Sequence, residues 1–171
     1  MIIKKTKFKD LIIIQNNKFL DRRGSFKELF KGKLLKKKLP FVVTSFSRKN
    51  VIRGLHIQLK NPQGKFVSVI KGKIFDVSLD LRPKSKTFGK IFTIKLSEKN
   101  CKSIFIPEGF AHGYYVISET AEIAYKCSEI YHPEDEQGII WNDPGIGVQW
   151  PAANPILSDK DANFQQLSLN Q

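Results

Sequence analysis

Four residue types suited to proton chemistry occur on short motifs in the middle of the chain. The motifs are Arg53-Gly54-Leu55-His56, Gln63-Gly64-Lys65, Pro107-Glu108-Gly109-Phe110-Ala111-His112 and an isolated Tyr125. A neutral imidazole can remove a proton from carbon beside a carbonyl, lysine or arginine can hold the resulting enolate, and tyrosine can return a proton. The set indicates acid–base chemistry. The sequence has no Ser-His-Asp pattern, Walker loop or Rossmann glycine fingerprint, which disfavours hydrolases, kinases and dehydrogenases.

A metal site is considered because Pro107-x-Gly109-x-x-His112 resembles the second motif of cupin metal centres. Those centres usually add a His-x-His pair, whereas His56 is followed by Ile57-Gln58, and His132 falls in a polar, proline-bounded turn. A histidine-rich metal site is therefore not predicted. Cys101 and Cys127 lack C-x-x-C spacing and are interpreted as reduced thiols.

The strand period of two decides which of these residues share a face. It places Lys65 with Val67 and Val69, and Tyr125 with Ile123. A lysine beside valines either meets a group that needs its charge or extends to water at the strand end, and Tyr125 is either functional or a core tyrosine with a satisfied hydroxyl.

The sequence does not decide whether Arg53 and His56 lie on the same face of their strand. Strict alternation puts them on opposite faces, but Gly54 permits a bulge that could bring both to one site. His112 follows a Pro-x-Gly turn, and the sequence favours a catalytic role and a structural role for it equally.

The elements that must position these residues are mostly short strands separated by turns. Two strands are predicted around Lys71-Gly72, at 66–70 and 73–81, with others at 91–96, 102–106, 114–117 and 121–127. Helices are predicted at 27–39 and in a tail beginning at Ser158, which could cap with Asp161 at the third position. We expect one all-β domain over residues 1–171, a double-sheet jelly roll with short flanking helices.

The charge is concentrated at one end of the chain. Residues 1–60 have a net charge of +14 and the rest have −1. The cluster Lys31, Lys33, Lys36, Lys37 and Lys38 has no interleaved aromatic residues, so a solvated face is favoured over nucleic-acid binding. No apolar run is long enough to span a membrane, and we expect a soluble, cytoplasmic protein.

The order and spacing of the motifs resemble the dTDP-4-dehydrorhamnose 3,5-epimerases of deoxysugar biosynthesis. The likeness covers nearly the whole chain, through FLDRRGSFKE (19–28), RGLHIQ (53–58), QGK (63–65), FDVSLDLR (75–82), KTFGK (86–90), IPEGFAHG (106–113), AEIAYK (121–126), IIWNDPGIGVQWP (139–151) and LSDKDA (157–162). It implies a jelly-roll homodimer that needs neither a metal nor a cofactor and acts on a nucleotide-linked 4-keto-6-deoxyhexose.

The resemblance also implies roles for individual residues. His56 would be the base for the protons at C3 and C5, Asp161 its partner, Tyr125 the acid on the opposite face of the sugar, and Lys65 the group that holds the enolate oxygen. Substrate contacts would come from Arg53, His112 and Tyr131, and, across the dimer interface, from Arg23, Phe26 and Glu28.

Departures from the family pattern leave alternatives open. Phe41 and Val43 stand where family members often carry Gln and Asn, and Ile130 where many carry Tyr. The nucleotide and the exact sugar therefore stay open, and the alternatives are a single-centre epimerase, a 3,4-ketoisomerase of similar sugars and, outside enzymes, a basic nucleic-acid-binding β-domain.

Overall fold

Thirteen strands account for nearly half of the described chain. The structure, a computed structural model, describes residues 1–35, 37–151 and 154–167. The strands are β1 (Ile2–Lys5), β2 (Ile12–Gln15), β3 (Lys18–Asp21), β4 (Gly24–Lys27), β5 (Phe41–Arg48), β6 (Ile52–Gln58), β7 (Lys65–Lys71), β8 (Lys73–Asp80), β9 (Ile91–Ser97), β10 (Lys102–Ile106), β11 (Phe110–Val116), β12 (Thr120–Cys127) and β13 (Glu136–Gly138), with a 3-10 turn at Gly32–Leu34 and a short helix α1 at Asp159–Ala162.

Two antiparallel sheets form the body of the molecule. One has the order β1-β2-β10-β7-β12-β5 and the other the order β13-β6-β11-β8-β9, while β3 and β4 form a separate hairpin. This architecture confirms the predicted all-β jelly roll. Among the described residues, no helix is long and apolar enough to cross a membrane.

The core lies between the two sheets because each contributes one alternating face. Val67 and Ile123 from the six-stranded sheet pack against Ile74 and Tyr114 from the five-stranded sheet, and Phe8 joins the same cluster. Lys65 and Tyr125 continue these inward faces, as the period of two predicted. Both side chains are therefore carried on rigid strands.

The strands predicted around Gly72 are present as β7 and β8, but they belong to different sheets. Gly72 turns the chain from one sheet to the other with φ +85°, and a Cβ there would lie 2.1 Å from the Thr120 carbonyl oxygen. Only glycine fits this turn. The other predicted strands are confirmed, with β11 beginning at Phe110 rather than Tyr114, which places His112 inside the strand.

The helix predicted over 27–39 is wrong. Lys27 ends β4, and within the described residues only Gly32–Leu34 is helical, as a single 3-10 turn; Lys36 lies outside the described residues. Phe30 and Leu39 instead pack on Phe66, on the outer side of the six-stranded sheet. A run of lysines repels itself on a helix and Gly32 disfavours one, so tertiary packing sets an extended path.

The segment after β13 covers the outer face of the five-stranded sheet. Val148, Trp150 and Leu167 pack against the cluster that contains Leu55 and Val77. Near its end the segment forms α1, where the Ser158 hydroxyl accepts a hydrogen bond from the Asp161 amide at 3.1 Å, which confirms the predicted cap. The cap fixes Asp161 next to β6.

Candidate active site

His56 and Asp161 form a hydrogen-bonded pair. The Nε2 atom of His56 lies 2.8 Å from Oδ1 of Asp161, and the Gly54 amide donates to the other carboxylate oxygen at 3.0 Å. Burial alone raises the pKa of Asp161, but the hydrogen bonds from His56, Gly54 and Ser158 outweigh it and hold the pKa below its usual value. Because the carboxylate only accepts, Nε2 carries the proton, and the lone pair of the neutral ring is on Nδ1.

A bulge at Gly54 brings Arg53 and His56 to the same face. In the ladder between β6 and β11, His56 is opposite His112 and Arg53 is opposite Tyr114, so two residues of β6 face only Gly113. Gly54 has φ +108°, and a Cβ there would lie 2.6 Å from the His112 carbonyl oxygen. The open question about Arg53 is thereby resolved in favour of the bulge.

Phe164 fixes the His56 ring from the side. The two rings meet edge to face with their centroids 5.6 Å apart. Gly138 makes room for this contact, since a Cβ at that position would lie 2.1 Å from the Phe164 ring. The imidazole therefore has a packed neighbour as well as a hydrogen-bonded one.

His112 is held by a second carboxylate. Its Nε2 lies 2.8 Å from Oδ2 of Asp76, and both side chains are buried. The other oxygen of Asp76 is buried without a hydrogen-bond partner within the described residues. A carboxylate buried in this way adds negative charge to the space between the two sheets.

Tyr125 faces this histidine from the other sheet. The Tyr125 and His112 rings lie edge to face, 6.4 Å apart. Burial raises the pKa of the Tyr125 phenol well above its usual value; the nearby Tyr114 adds to the rise, while hydrogen bonding from Ser45 opposes it. The group is a neutral phenol at neutral pH, the form that can give up a proton.

Lys65 lies at the start of β7, in register with Cys127 of β12. Burial lowers the pKa of its ammonium group, and the charges of Glu136 and Asp76 oppose that fall. Burial also raises the pKa of the Cys127 thiol to about 11, so the thiol stays protonated at neutral pH. Lys65 is thus a partly desolvated cation, which interacts strongly with a nearby anion.

The carboxylate of Glu136 lies near the second ring nitrogen of His56. Oε1 of Glu136 lies 3.9 Å from Nδ1 of His56, and Oε2 forms an ion pair with Lys160. The Tyr131 hydroxyl donates to the same Oε2 at 3.1 Å. Tyr131, which is 47% exposed, therefore joins the site through Glu136.

Arg23, Phe26 and Glu28 are not brought to this cluster by the chain's own fold. They lie on or just after the β3–β4 hairpin, where Arg23 pairs with Asp21. Lys27 of the same hairpin donates to the carbonyl of Val69, four residues along β7 from Lys65. The hairpin thus lies beside the opposite end of that strand.

Asp76, Glu136, Lys160 and Phe164 belong to the cluster but were not predicted as site residues. Asp76 had a usable signal, because it shares a strand face with Ile74 and alternates with the apolar Phe75 and Val77, and a buried carboxylate needs a partner. Glu136 and Phe164 had none, since both lie in segments without a regular pattern.

The fold and this cluster define a class of protein: a jelly-roll enzyme equipped for acid–base catalysis. The sequence model of the dTDP-4-dehydrorhamnose 3,5-epimerases matches residues 5–168. The chain belongs to that family.

Individual relatives support membership of this family. The chain is 44% identical to the dTDP-4-dehydrorhamnose 3,5-epimerase of Methanothermobacter thermautotrophicus, over 97% of this chain and 94% of that one, and 43% identical to the enzyme of Shigella flexneri, over 97% and 96%. It also superposes with a TM-score of 0.93 on the crystal structure of the Legionella pneumophila dTDP-6-deoxy-D-glucose-3,5-epimerase in complex with dTDP-4-keto-L-rhamnose; the two are 41% identical, over 99% of this chain and 94% of that one.

Proposed function

We propose that this protein inverts C3 and C5 of dTDP-4-dehydro-6-deoxy-D-glucose and so forms dTDP-4-dehydro-L-rhamnose. The observation that carries the proposal is the placement of His56 on one sheet and Tyr125 on the other, with Lys65 and His112 beside them. Inversion of a carbon requires removal of a proton from one face and delivery to the other, and groups on two opposed sheets meet that requirement.

His56 acts as the base. With Nε2–H donated to Asp161, the Nδ1 lone pair takes the proton from the carbon next to the C4 ketone. The carboxylate stabilises the imidazolium that results and holds the ring in one tautomer. The electrons left on carbon move into the ketone and form an enolate.

Lys65 stabilises the enolate, and Tyr125 completes the inversion. The ammonium group on β7 is partly desolvated, so its attraction for the charge that develops on O4 is stronger than it would be in water. The Tyr125 phenol then protonates the carbon from the opposite face. Arg53 and His112 complete the polar floor of the site.

The nucleotide is bound with help from a second copy of the chain. The hairpin that carries Arg23 and Phe26 exposes three large apolar side chains, Phe19, Leu20 and Phe26, at 56%, 75% and 67%. A surface of this kind is typical of a contact with another protein. In a homodimer the hairpin reaches the partner's site, where Arg23, Phe26 and Glu28 contact the nucleotide and Tyr131 packs near the sugar.

The test is proton NMR of dTDP-4-keto-6-deoxyglucose incubated with the protein in deuterated water. We expect deuterium at both C3 and C5 and the L-rhamno product. Exchange at one centre alone identifies a single-centre epimerase, and a 3-keto product identifies a ketoisomerase. Absence of exchange with any 4-keto nucleotide sugar overturns the enzymatic proposal.

A further inference from the structure

A groove bordered by lysines lies between two loops of the chain. It is formed by the loop between β1 and β2 and the loop between β8 and β9, and its volume is about 700 Å³. Each loop contributes a Lys-x-Lys pair, Lys7 with Lys9 and Lys84 with Lys86. We call this feature the basic groove. Its volume falls within the range of about 300–1,000 Å³ that is typical of small-molecule sites.

The four lysines of the basic groove are not paired with acids. Within the described residues, the lysines that form ion pairs are Lys31, Lys37, Lys49 and Lys160, and none of them belongs to the groove. All four groove lysines are exposed. Folding thus brings together four cations from two distant parts of the chain, although their mutual repulsion destabilises the compact state.

Two acids lie near the groove, and both act on Arg82. Asp80 accepts hydrogen bonds from Arg82, Ser85 and Thr87, so its charge is used within the loop itself. The hydrogen bond to Asp80 raises the pKa of Arg82 against the effect of burial, and the charge of Asp10 adds a smaller rise. The charge of the four lysines is therefore left uncompensated.

The floor of the groove is fixed on the core. Arg82 donates to the Lys9 carbonyl at 3.0 Å and so ties the two loops together. Its guanidinium carbon lies 4.6 Å from the centre of the Phe110 ring, which packs edge to face on Phe8 with centroids 6.2 Å apart. Both rings are almost fully buried. Because the loops are held in place, the lysines lose less freedom when a ligand gathers them.

The basic groove is separate from the active site. Its second loop leads into β9, the edge strand of the five-stranded sheet, whereas His56 is on β6, three strands away. Neighbouring strands are about 4.8 Å apart, so roughly 14 Å separate β9 from β6. A ligand in the groove is thus bound away from the sugar on which His56 acts.

We propose that the basic groove binds a chain of two or more phosphate groups, either free or as part of a nucleotide. Lysine ammonium groups bind phosphate as point charges, and several charges in one small molecule offset several lysines at once. The aromatic rings of the floor are buried, so they offer no platform on which successive bases of a nucleic acid could stack. The charge and the shape of the groove therefore favour a small oligophosphate.

Tripolyphosphate is the probe for this site, and Lys84→Ala combined with Lys86→Ala is the test variant. The matched control combines Lys33→Ala with Lys38→Ala, which removes the same charge from exposed lysines outside the groove. Calorimetric titration at low salt gives the affinity, and heteronuclear NMR shifts of the backbone amides show where the probe binds. Thermal melts verify that both variants fold, and dTDP titrations verify their active sites.

We expect tripolyphosphate to shift the amide signals of residues 7–9 and 84–87. It should bind the test variant about tenfold more weakly than the native protein, because two charge-assisted contacts are lost, whereas the control variant should match the native protein. A parallel titration with dTTP distinguishes the two sources of the ligand. Equal affinity for both probes assigns the site to the phosphate chain alone, and tighter binding of dTTP assigns it to a nucleotide.

An equal loss of affinity in the test and control variants would overturn the proposal, because it indicates attraction to the total charge of the protein. Shifts confined to the surroundings of His56 and Lys65, or no shift at all, would overturn it as well. Tighter binding of a DNA or RNA oligonucleotide across the groove would replace the proposed ligand with a nucleic acid. None of these outcomes depends on whether the protein inverts sugar carbons, so the proposed function is tested separately.

Discussion

At the scale of single residues, the site depends on which atoms of each group are already occupied. Asp161 occupies Nε2 of His56, and Asp76 occupies Nε2 of His112. The two histidines lie opposite each other in neighbouring strands, yet among the residues that the structure describes only His56 has a second carboxylate, that of Glu136, near its other ring nitrogen. The two histidines therefore differ at Nδ1, where a second carboxylate lies near His56.

Replacement of His56 should remove the only proposed base. We expect His56→Asn and His56→Ala to lower deuterium exchange at both C3 and C5 by about 10²–10⁴-fold with nucleotide binding retained. The measurement is NMR exchange beside a dTDP titration. Asp161→Asn should lower the rate less, and near-native exchange without His56 would assign the base to another group, with His112 the first candidate.

Tyr125→Phe should separate exchange from inversion. Proton removal by His56 needs no phenol, but delivery to the opposite face does, so the variant should still incorporate deuterium while forming much less L-configured product. The quantity to compare is the ratio of exchange to inversion in the variant and in the native protein. An unchanged ratio with both rates intact would return Tyr125 to the role of a core tyrosine.

At the scale of elements, period-two alternation was enough to place Lys65 and Tyr125 on inward faces, because strands buried on one side repeat that pattern strictly. It could not place Arg53, since a bulge depends on how closely two backbones approach. It also could not foresee the path of 27–39, where packing on Phe66 overrides local propensity. Glu136 reaches His56 only through the pairing of β13 with β6, which no local pattern indicates.

The loop between β8 and β9 depends on one carboxylate. Burial alone raises the pKa of Asp80, but hydrogen bonds from Arg82, Ser85 and Thr87 bring it down to about 2. A lowered pKa means that Asp80 stabilises the fold above about pH 4 and loses this effect as the pH falls toward 2.

We therefore expect Asp80→Asn to lower the free energy of unfolding by about 2 kcal/mol at pH 7 and by much less near pH 2. Urea titrations at the two pH values measure the difference. Asp10→Asn, at an exposed aspartate, is the control and should change little at either pH. An equal loss for Asp80→Asn at both pH values would contradict the assignment.

At the scale of the whole molecule, the proposed dimer divides each site between two chains. His56 would come from one copy, and Arg23 and Phe26 from the other. Two inactive variants that lack different halves should then repair each other when their subunits are exchanged, because a hybrid dimer contains one site with both halves intact.

Mixing His56→Ala with the double variant Arg23→Ala, Phe26→Ala should thus restore about a quarter of native activity, since half of the dimers are hybrids and half of their sites are whole. Activity assays after mild denaturation and joint refolding test this. The separately refolded variants serve as controls. If the mixture shows no more activity than its components, the hairpin serves its own chain or does not contribute to the site.

The pairing of His56 with Asp161 also has a consequence for synthesis of the protein. The two residues are 105 positions apart, and at roughly 5–20 residues per second a ribosome adds Asp161 roughly 5–20 s after His56. By then every strand of both sheets has been translated. All strands of both sheets therefore precede Asp161 in synthesis, and the His56–Asp161 pair forms only when the segment after residue 157 folds back onto β6.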